Sequence, residues 1–173
     1  MKKMMFLIAL AVTGWRATAQ DDDRGYVVKV GDAAPAIELL FLDGTRQRLE
    51  ETRGKVVMLQ FTASWCGVCR QEMPHIERDI WQKHKEDPRF ALYGIDLKES
   101  MEVTGQFARE MKITYPLLLD PEGKAFYSVA ARGAGVTRNV IIDKKGKIAF
   151  LTRLYDKKEF AEMIAVIERL LEE

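Results

Sequence analysis

Cys66 and Cys69 are the only cysteines among 173 residues, and they stand as C-x-x-C directly behind a tryptophan, in Trp65-Cys66-Gly67-Val68-Cys69. The run before them, Lys-Val-Val-Met-Leu-Gln-Phe from Lys55 to Phe61, is apolar enough for a strand covered on both faces. The run after them, Arg70 to His84, reads as a helix. Two thiols at this spacing, at a strand-to-helix junction, can form and break a disulfide with little backbone movement. The first sulfur falls at the helix N-terminus, where unpaired amides and the helix dipole favour a thiolate. The thiolate is the species that attacks disulfides.

The chain opens Met1-Lys2-Lys3, runs through the apolar stretch Met4 to Val12, and reaches Ala17-Thr18-Ala19, an A-x-A cleavage signature. Basic end, short apolar core and small residues before a cut describe a secretory signal peptide over residues 1–19. The apolar run falls short of the roughly 20 residues that span a bilayer, so a retained leader would be the only expected membrane contact. Cleavage leaves 154 residues, one domain with a single sizeable core. The leader carries Lys2, Lys3 and Arg16 and no acid, so its loss takes the formal charge from +1 to −2. That balance leaves no electrostatic footprint for nucleic acid. Export would place the dithiol in a periplasmic or other oxidising compartment, either locked as a disulfide or kept cycling by a reductant.

Residues 20–29, with three consecutive aspartates, read as a flexible lead-in, and residues 30–173 as the folded domain. Ile37–Leu42 and Thr45–Leu49 flank Asp43-Gly44, a two-residue hairpin signal. Val56–Phe61, Phe90–Leu97 and Leu117–Leu119 read as strands, and Met101–Met111 and Lys124–Ala130 as helices. Asn139–Ile142 and Lys147–Arg153 flank a second turn, Asp143 to Gly146. From Asp156 an amphipathic helix runs to the C-terminus, with Phe160, Met163, Ile164, Ile167, Leu170 and Leu171 as its apolar stripe. This order predicts an α/β three-layer sandwich: a mixed central sheet with helices on both faces and an N-terminal β-hairpin.

Trp65-Cys66-Gly67-Val68-Cys69, continued as Cys69-Arg-Gln-Glu72-Met-Pro74, resembles the TlpA/ResA-like thiol–disulfide oxidoreductases of the thioredoxin superfamily. So do Ile113-Thr-Tyr-Pro-Leu-Leu-Leu-Asp120 and Val140-Ile-Ile-Asp-Lys-Lys-Gly-Lys147, and the likeness runs from about Val30 to the C-terminus. The resemblance implies a thioredoxin-like fold with a four- or five-stranded sheet. It implies disulfide reduction or exchange, with Cys66 as nucleophile, Cys69 as resolving thiol and Cys66–Cys69 as the oxidised form. No cofactor or metal is implied. The substrates would be exported protein or small-molecule disulfides, and the reductant a membrane thiol-transfer protein.

Several positions carry two readings each. Glu72 matches a family glutamate that could relay a proton to or from Cys69, or is a solvated helix acid. Gln60 fills the place of the buried aspartate of thioredoxins proper; it cannot take a proton and reads as a hydrogen-bonded strand residue. Trp65 is expected to pack beside the sulfurs and limit solvent access, or to serve as a core aromatic, and both can hold. Gly67-Val68 brings no charge to the thiolate, which points to a moderately reducing couple. Pro74 should kink the helix. The loop that normally supplies a cis-proline against the cysteines is here Val136-Thr137-Arg138. A cis bond before a non-proline costs about 3–4 kcal/mol, so Val136–Thr137 is expected to be trans. This loop has some peroxiredoxin-like character. Arg138 could steer an anionic substrate or lower the thiolate pKa, or is an exposed loop arginine.

Three competing functions remain. A peroxidatic cysteine sits in P-x-x-x-T/S-x-x-C, but Leu59 and Ala63 hold those places before Cys66, and Thr62 is one position off. His75 and His84 could join the cysteines around a metal, though the spacing fits no common zinc pattern. A fixed Cys66–Cys69 staple in a non-catalytic module closes too short a loop to stabilise much.

Overall fold

The computed structural model describes residues 24–173. The leader expected over residues 1–19 lies outside them. Seven strands form one mixed sheet in the order β2-β1-β5-β4-β3-β6-β7. In chain order they are β1 (Glu38–Leu40), β2 (Arg46–Arg48), β3 (Val56–Thr62), β4 (Phe90–Leu97), β5 (Leu117–Asp120), β6 (Arg138–Ile142) and β7 (Ile148–Arg153). The central strands β3, β4 and β5 are parallel, and β6 runs antiparallel to β3. The fold is thioredoxin-like, as expected. The N-terminal hairpin does not stand apart: β1 pairs with β5 and extends the sheet to seven strands.

Both hairpins close through three-residue loops, one residue more than the two-residue signal at Asp43-Gly44 and one fewer than the turn read over Asp143 to Gly146. Phe41 N–H bonds to Thr45 O and Gly44 N–H to Phe41 O, so Asp43-Gly44 closes a three-residue loop with Gly44 at φ 85°. Asp143 to Lys147 repeats this pattern, with Gly146 at φ 76°. In each the glycine supplies the left-handed residue that ends the four-residue turn.

The helices are α1 (Gly67–Ile76), α2 (Gln82–His84), α3 (Met101–Met111), α4 (Lys124–Val129) and α5 (Lys157–Glu172). Between α1 and α2 the chain stays helical through a π-helical segment, Glu77–Trp81. Pro74 has no N–H to offer the preceding turn, and the helix continues past it with this wider hydrogen bonding.

The alternation of β3 sorts the two cores. Val57, Leu59 and Phe61 face a cluster with Phe126 and Val129 of α4. Val56 and Met58 face a cluster with Met73 and Ile76 of α1, Phe107 of α3 and the stripe Phe160, Met163, Ile167, Leu170 and Leu171 of α5. Gln60 and Thr62 have the parity of Val56 and Met58, which turns two polar side chains toward α1.

Residues 24–29 correct part of the expected flexible lead-in. Val27 N–H bonds to Val129 O at 2.9 Å, the Tyr26 hydroxyl donates to Thr152 O, and Arg24 pairs with Glu159. An aromatic ring and a guanidinium anchor this stretch despite its polar composition.

Candidate active site

Strand β3 ends at Thr62 and a tight turn, closed by Cys66 N–H to Ala63 O at 3.0 Å, delivers the chain into α1. Cys66 is the N-cap residue of α1, and its Sγ accepts the Cys69 N–H at 3.2 Å. The two cysteines form a disulfide with their Cα atoms 5.3 Å apart. Cys66 keeps 8% of its surface exposed and Cys69 none, so an incoming group reaches Cys66 first.

Thr137 closes the site from the start of β6. Its Oγ1 lies 3.2 Å from Cys66 Sγ and 3.3 Å from Cys69 Sγ. No peptide bond among the described residues is cis, so Val136–Thr137 is trans as expected. Val136 and Thr137 are both buried. Gly67 is exposed at the first turn of α1 with open space around its Cα, and Val68 packs partly against the core.

Glu72 lies one turn beyond Cys69 and is 1% exposed, which removes the solvated helix acid from consideration. Asn139 donates its amide to Glu72 Oε1 at 2.6 Å. Burial pushes the Glu72 carboxyl up to about 7, against the opposing pull of the Asn139 and Gln60 amides. Gln60 and Asn139 are register partners on β3 and β6, which brings both amides to the face under α1. Tyr115 donates its hydroxyl to Gln60 Oε1 at 2.7 Å, and Asn139 also donates to Thr152 Oγ1 at 2.9 Å.

Two expected positions need correction. Trp65 is 68% exposed and is not a core aromatic. It stands on the turn just before the helix, where no element covers it. Arg138 is neither exposed nor turned to the sulfurs. It is 1% exposed, and the strand alternation sends its side chain to the face opposite Thr137 and Asn139. There it donates to Gly135 O and Arg24 O and lies 4.4 Å from the Tyr26 ring centroid. The histidines take packing places: His75 stacks on Tyr155 at 5.0 Å and His84 tilts against Phe90 at 5.5 Å.

Sequence reasoning missed a second acidic cluster. Asp96 on β4 is fully buried and accepts the Thr104 hydroxyl at 2.6 Å. Its carboxyl is raised by burial and by the neighbouring Glu99, with the Thr104 hydroxyl opposing. Glu99 accepts both the Ser64 N–H and the Ser64 hydroxyl at 2.6 Å, tying this cluster to the turn before Cys66. Asn139 was also missed as a site residue, although a polar residue opening the run Asn-Val-Ile-Ile marks a break in an apolar strand.

The Redoxin family model matches residues 29–168. The chain belongs to that family. Geobacillus thermodenitrificans thiol-disulfide oxidoreductase ResA is 30% identical over 151 residues, 86% of this chain and 83% of the relative. Bacillus subtilis thioredoxin-like protein YneN is 30% identical over 149 residues, 84% of each chain. The solution structure of a Bacteroides thetaiotaomicron protein described as a candidate protein disulfide isomerase is 54% identical. It superposes with a TM-score of 0.83, over 86% of this chain and 94% of that one. This Redoxin family member is a thiol–disulfide oxidoreductase of the ResA type, with Cys66 and Cys69 as its C-x-x-C pair.

Proposed function

We propose that this oxidoreductase is exported and reduces or exchanges disulfides, with Cys66 as attacking thiolate and Cys69 as resolving thiol. The observation that carries this reading is the asymmetry of the pair. Cys66 Sγ caps the helix, accepts a backbone N–H and keeps the exposed edge, whereas Cys69 is fully covered. A sulfur anion at a helix N-terminus is stabilised by the amides and the dipole together.

The Cys66 thiolate attacks a substrate disulfide, forming a Cys66–substrate bond and releasing one substrate sulfur as thiolate. Cys69 then loses its proton to the ionised Glu72 carboxylate. Its thiolate attacks Cys66 Sγ, forming the Cys66–Cys69 disulfide and expelling the second substrate sulfur. The substrate gains two electrons and the protein loses them. Trp65, Gly67 and Val68 flank the cysteines in sequence and Thr137 touches both sulfurs; these residues and Val136 would contact the substrate. Arg138 acts on the fold rather than on the anion.

The leader over residues 1–19 supports export, with cleavage near Ala19 and a membrane thiol-transfer protein as reductant. N-terminal sequencing of the protein from an exported fraction would give residue 20 as its first residue; an intact Met1 there would remove the cleavage. The catalytic reading is tested by mixing the reduced protein with insulin and with hydrogen peroxide. Rapid insulin reduction and slow peroxide consumption, both lost in Cys66→Ser, fit exchange. Rapid peroxide turnover with inert insulin would favour the peroxidase.

A further inference from the structure

Thr137 has a buried hydroxyl, 3% exposed as a residue, whose partners are the two sulfurs. Its position is tightly set. Leu154 donates its N–H to Thr137 O at 3.0 Å, and the β-branched side chain has few rotamers. A disulfide sulfur is a weak acceptor, so the hydroxyl gains little from the oxidised pair while remaining shut off from water. A thiolate in the same place accepts a charge-assisted hydrogen bond, which is about twice as strong as a neutral one.

The two sulfurs are not equivalent for this hydroxyl. Cys66 Sγ already accepts the Cys69 N–H, so it is the better place for an anion. The hydroxyl has one proton and can serve one sulfur at a time while accepting from the other. We propose that Thr137 is a catalytic residue that acts as a hydrogen-bond relay between the two sulfurs. In the dithiol it accepts the Cys69 S–H and donates to the Cys66 thiolate. Once Cys66 is in the mixed disulfide and no longer an anion, the hydroxyl turns to donate to Cys69 and stabilises the thiolate that resolves it. No bond to Thr137 forms or breaks, and Cys69 loses its proton to Glu72 as before. This role rests on the exchange reading above, and it gives a function to the residue that departs from proline.

Among the described residues, the side chain that hydrogen-bonds the sulfurs is Thr137. Of the charged groups nearby, Glu72 lies on α1 three residues past Cys69 and is held by Asn139 of β6, and Arg138 is held by Gly135 O and Arg24 O. The hydroxyl favours the reduced pair, so its removal should make the protein a stronger reductant.

The test compares the full protein with Thr137→Val, which keeps the shape and removes the hydroxyl, and Thr137→Ser, which keeps the hydroxyl. Iodoacetamide alkylation of Cys66 is followed against pH in the reduced proteins, and the equilibrium with glutathione is measured beside it. Thr137→Val should raise the alkylation midpoint by about one pH unit, and Thr137→Ser should return it to the wild-type value. The glutathione equilibrium should shift about tenfold in Thr137→Val, or about 30 mV. A wild-type midpoint in Thr137→Val overturns the relay. So does an equal shift in both variants, which would assign Thr137 to packing. Alkylation needs no disulfide substrate, so this outcome is separate from failure of the exchange reading, which insulin reduction by the wild type decides.

Discussion

Glu72 and Asp96 are buried on the same face of the sheet, and burial raises both carboxyl groups. Their neighbours differ. Glu72 meets the Asn139 amide at 2.6 Å and the Gln60 amide, neither of which can take its proton. Asp96 meets the Thr104 hydroxyl and a second acid, Glu99, which in turn holds Ser64. The one titrates between two amides on the dithiol helix, with Glu159 only a minor contribution. The other is half of an acid pair that clamps the turn before it. Desolvation alone therefore does not mark a proton carrier; what surrounds the carboxyl decides whether its proton is free to move.

The largest difference expected between the two carboxyl groups is kinetic. Glu72→Gln should slow decay of the mixed disulfide at pH 8 by about 100-fold, the lower end for a positioned acid–base group. In the wild type the same rate should rise through about pH 7, as Glu72 ionises, and Glu72→Gln should lose that rise. Asp96→Asn should change the rate by less than about twofold, because Asp96 acts on structure rather than on a proton in flight. Single-turnover fluorescence would follow both, and equal losses would erase the distinction.

Stability sharpens it next. Between the ordinary carboxyl value of 4.5 and about 7, folded Glu72 keeps a proton that the unfolded chain releases. The oxidised protein should therefore lose stability as pH rises through that window, by on the order of 3 kcal/mol from this group. Urea unfolding at pH 5 and pH 8 should show the loss in the wild type and much less of it in Glu72→Gln. Asp96 contributes in the same direction, so Asp96→Asn should also flatten the profile. A profile in Glu72→Gln as steep as in the wild type would remove Glu72 as its source.

Ser64→Ala removes the hydroxyl end of the clamp but leaves the backbone N–H bonded to Glu99. The expected cost is about 1 kcal/mol in urea unfolding, with Cys66 alkylation unchanged. A large shift in that alkylation would place the clamp in the chemistry. Trp65→Ala should have the smallest effect on stability, within about 0.5 kcal/mol for so exposed a side chain. Its loss should still weaken turnover of insulin more than of a small disulfide.

Much of the fold was legible because apolar runs and turns carry local signals. β3 and β4 follow from short apolar runs, and the stripe of α5 from helical periodicity. The length of the first turn did not, because Asp43-Gly44 fits a two-residue loop as well as the observed longer one, and only the pairing of Phe41 with Thr45 decides. The anchoring of residues 24–29 depends on partners more than 100 residues away, as Tyr26 to Thr152 shows. At the site, C-x-x-C and the spacing to Glu72 were visible in one helix. The burial of Arg138 and the pairing of Asn139 with Glu72 depend on how β6 packs, and the exposure of Trp65 on its turn being left uncovered, neither of which a local pattern encodes.

The order of events at the dithiol is set by which sulfur makes first contact. Reduced Cys69→Ser and Cys66→Ser proteins, each mixed with a peptide containing one disulfide and quenched in acid, would be weighed by mass spectrometry. Cys69→Ser should accumulate one peptide per chain on Cys66, while Cys66→Ser should accumulate almost none. Capture on Cys69, or on neither sulfur, would contradict this order.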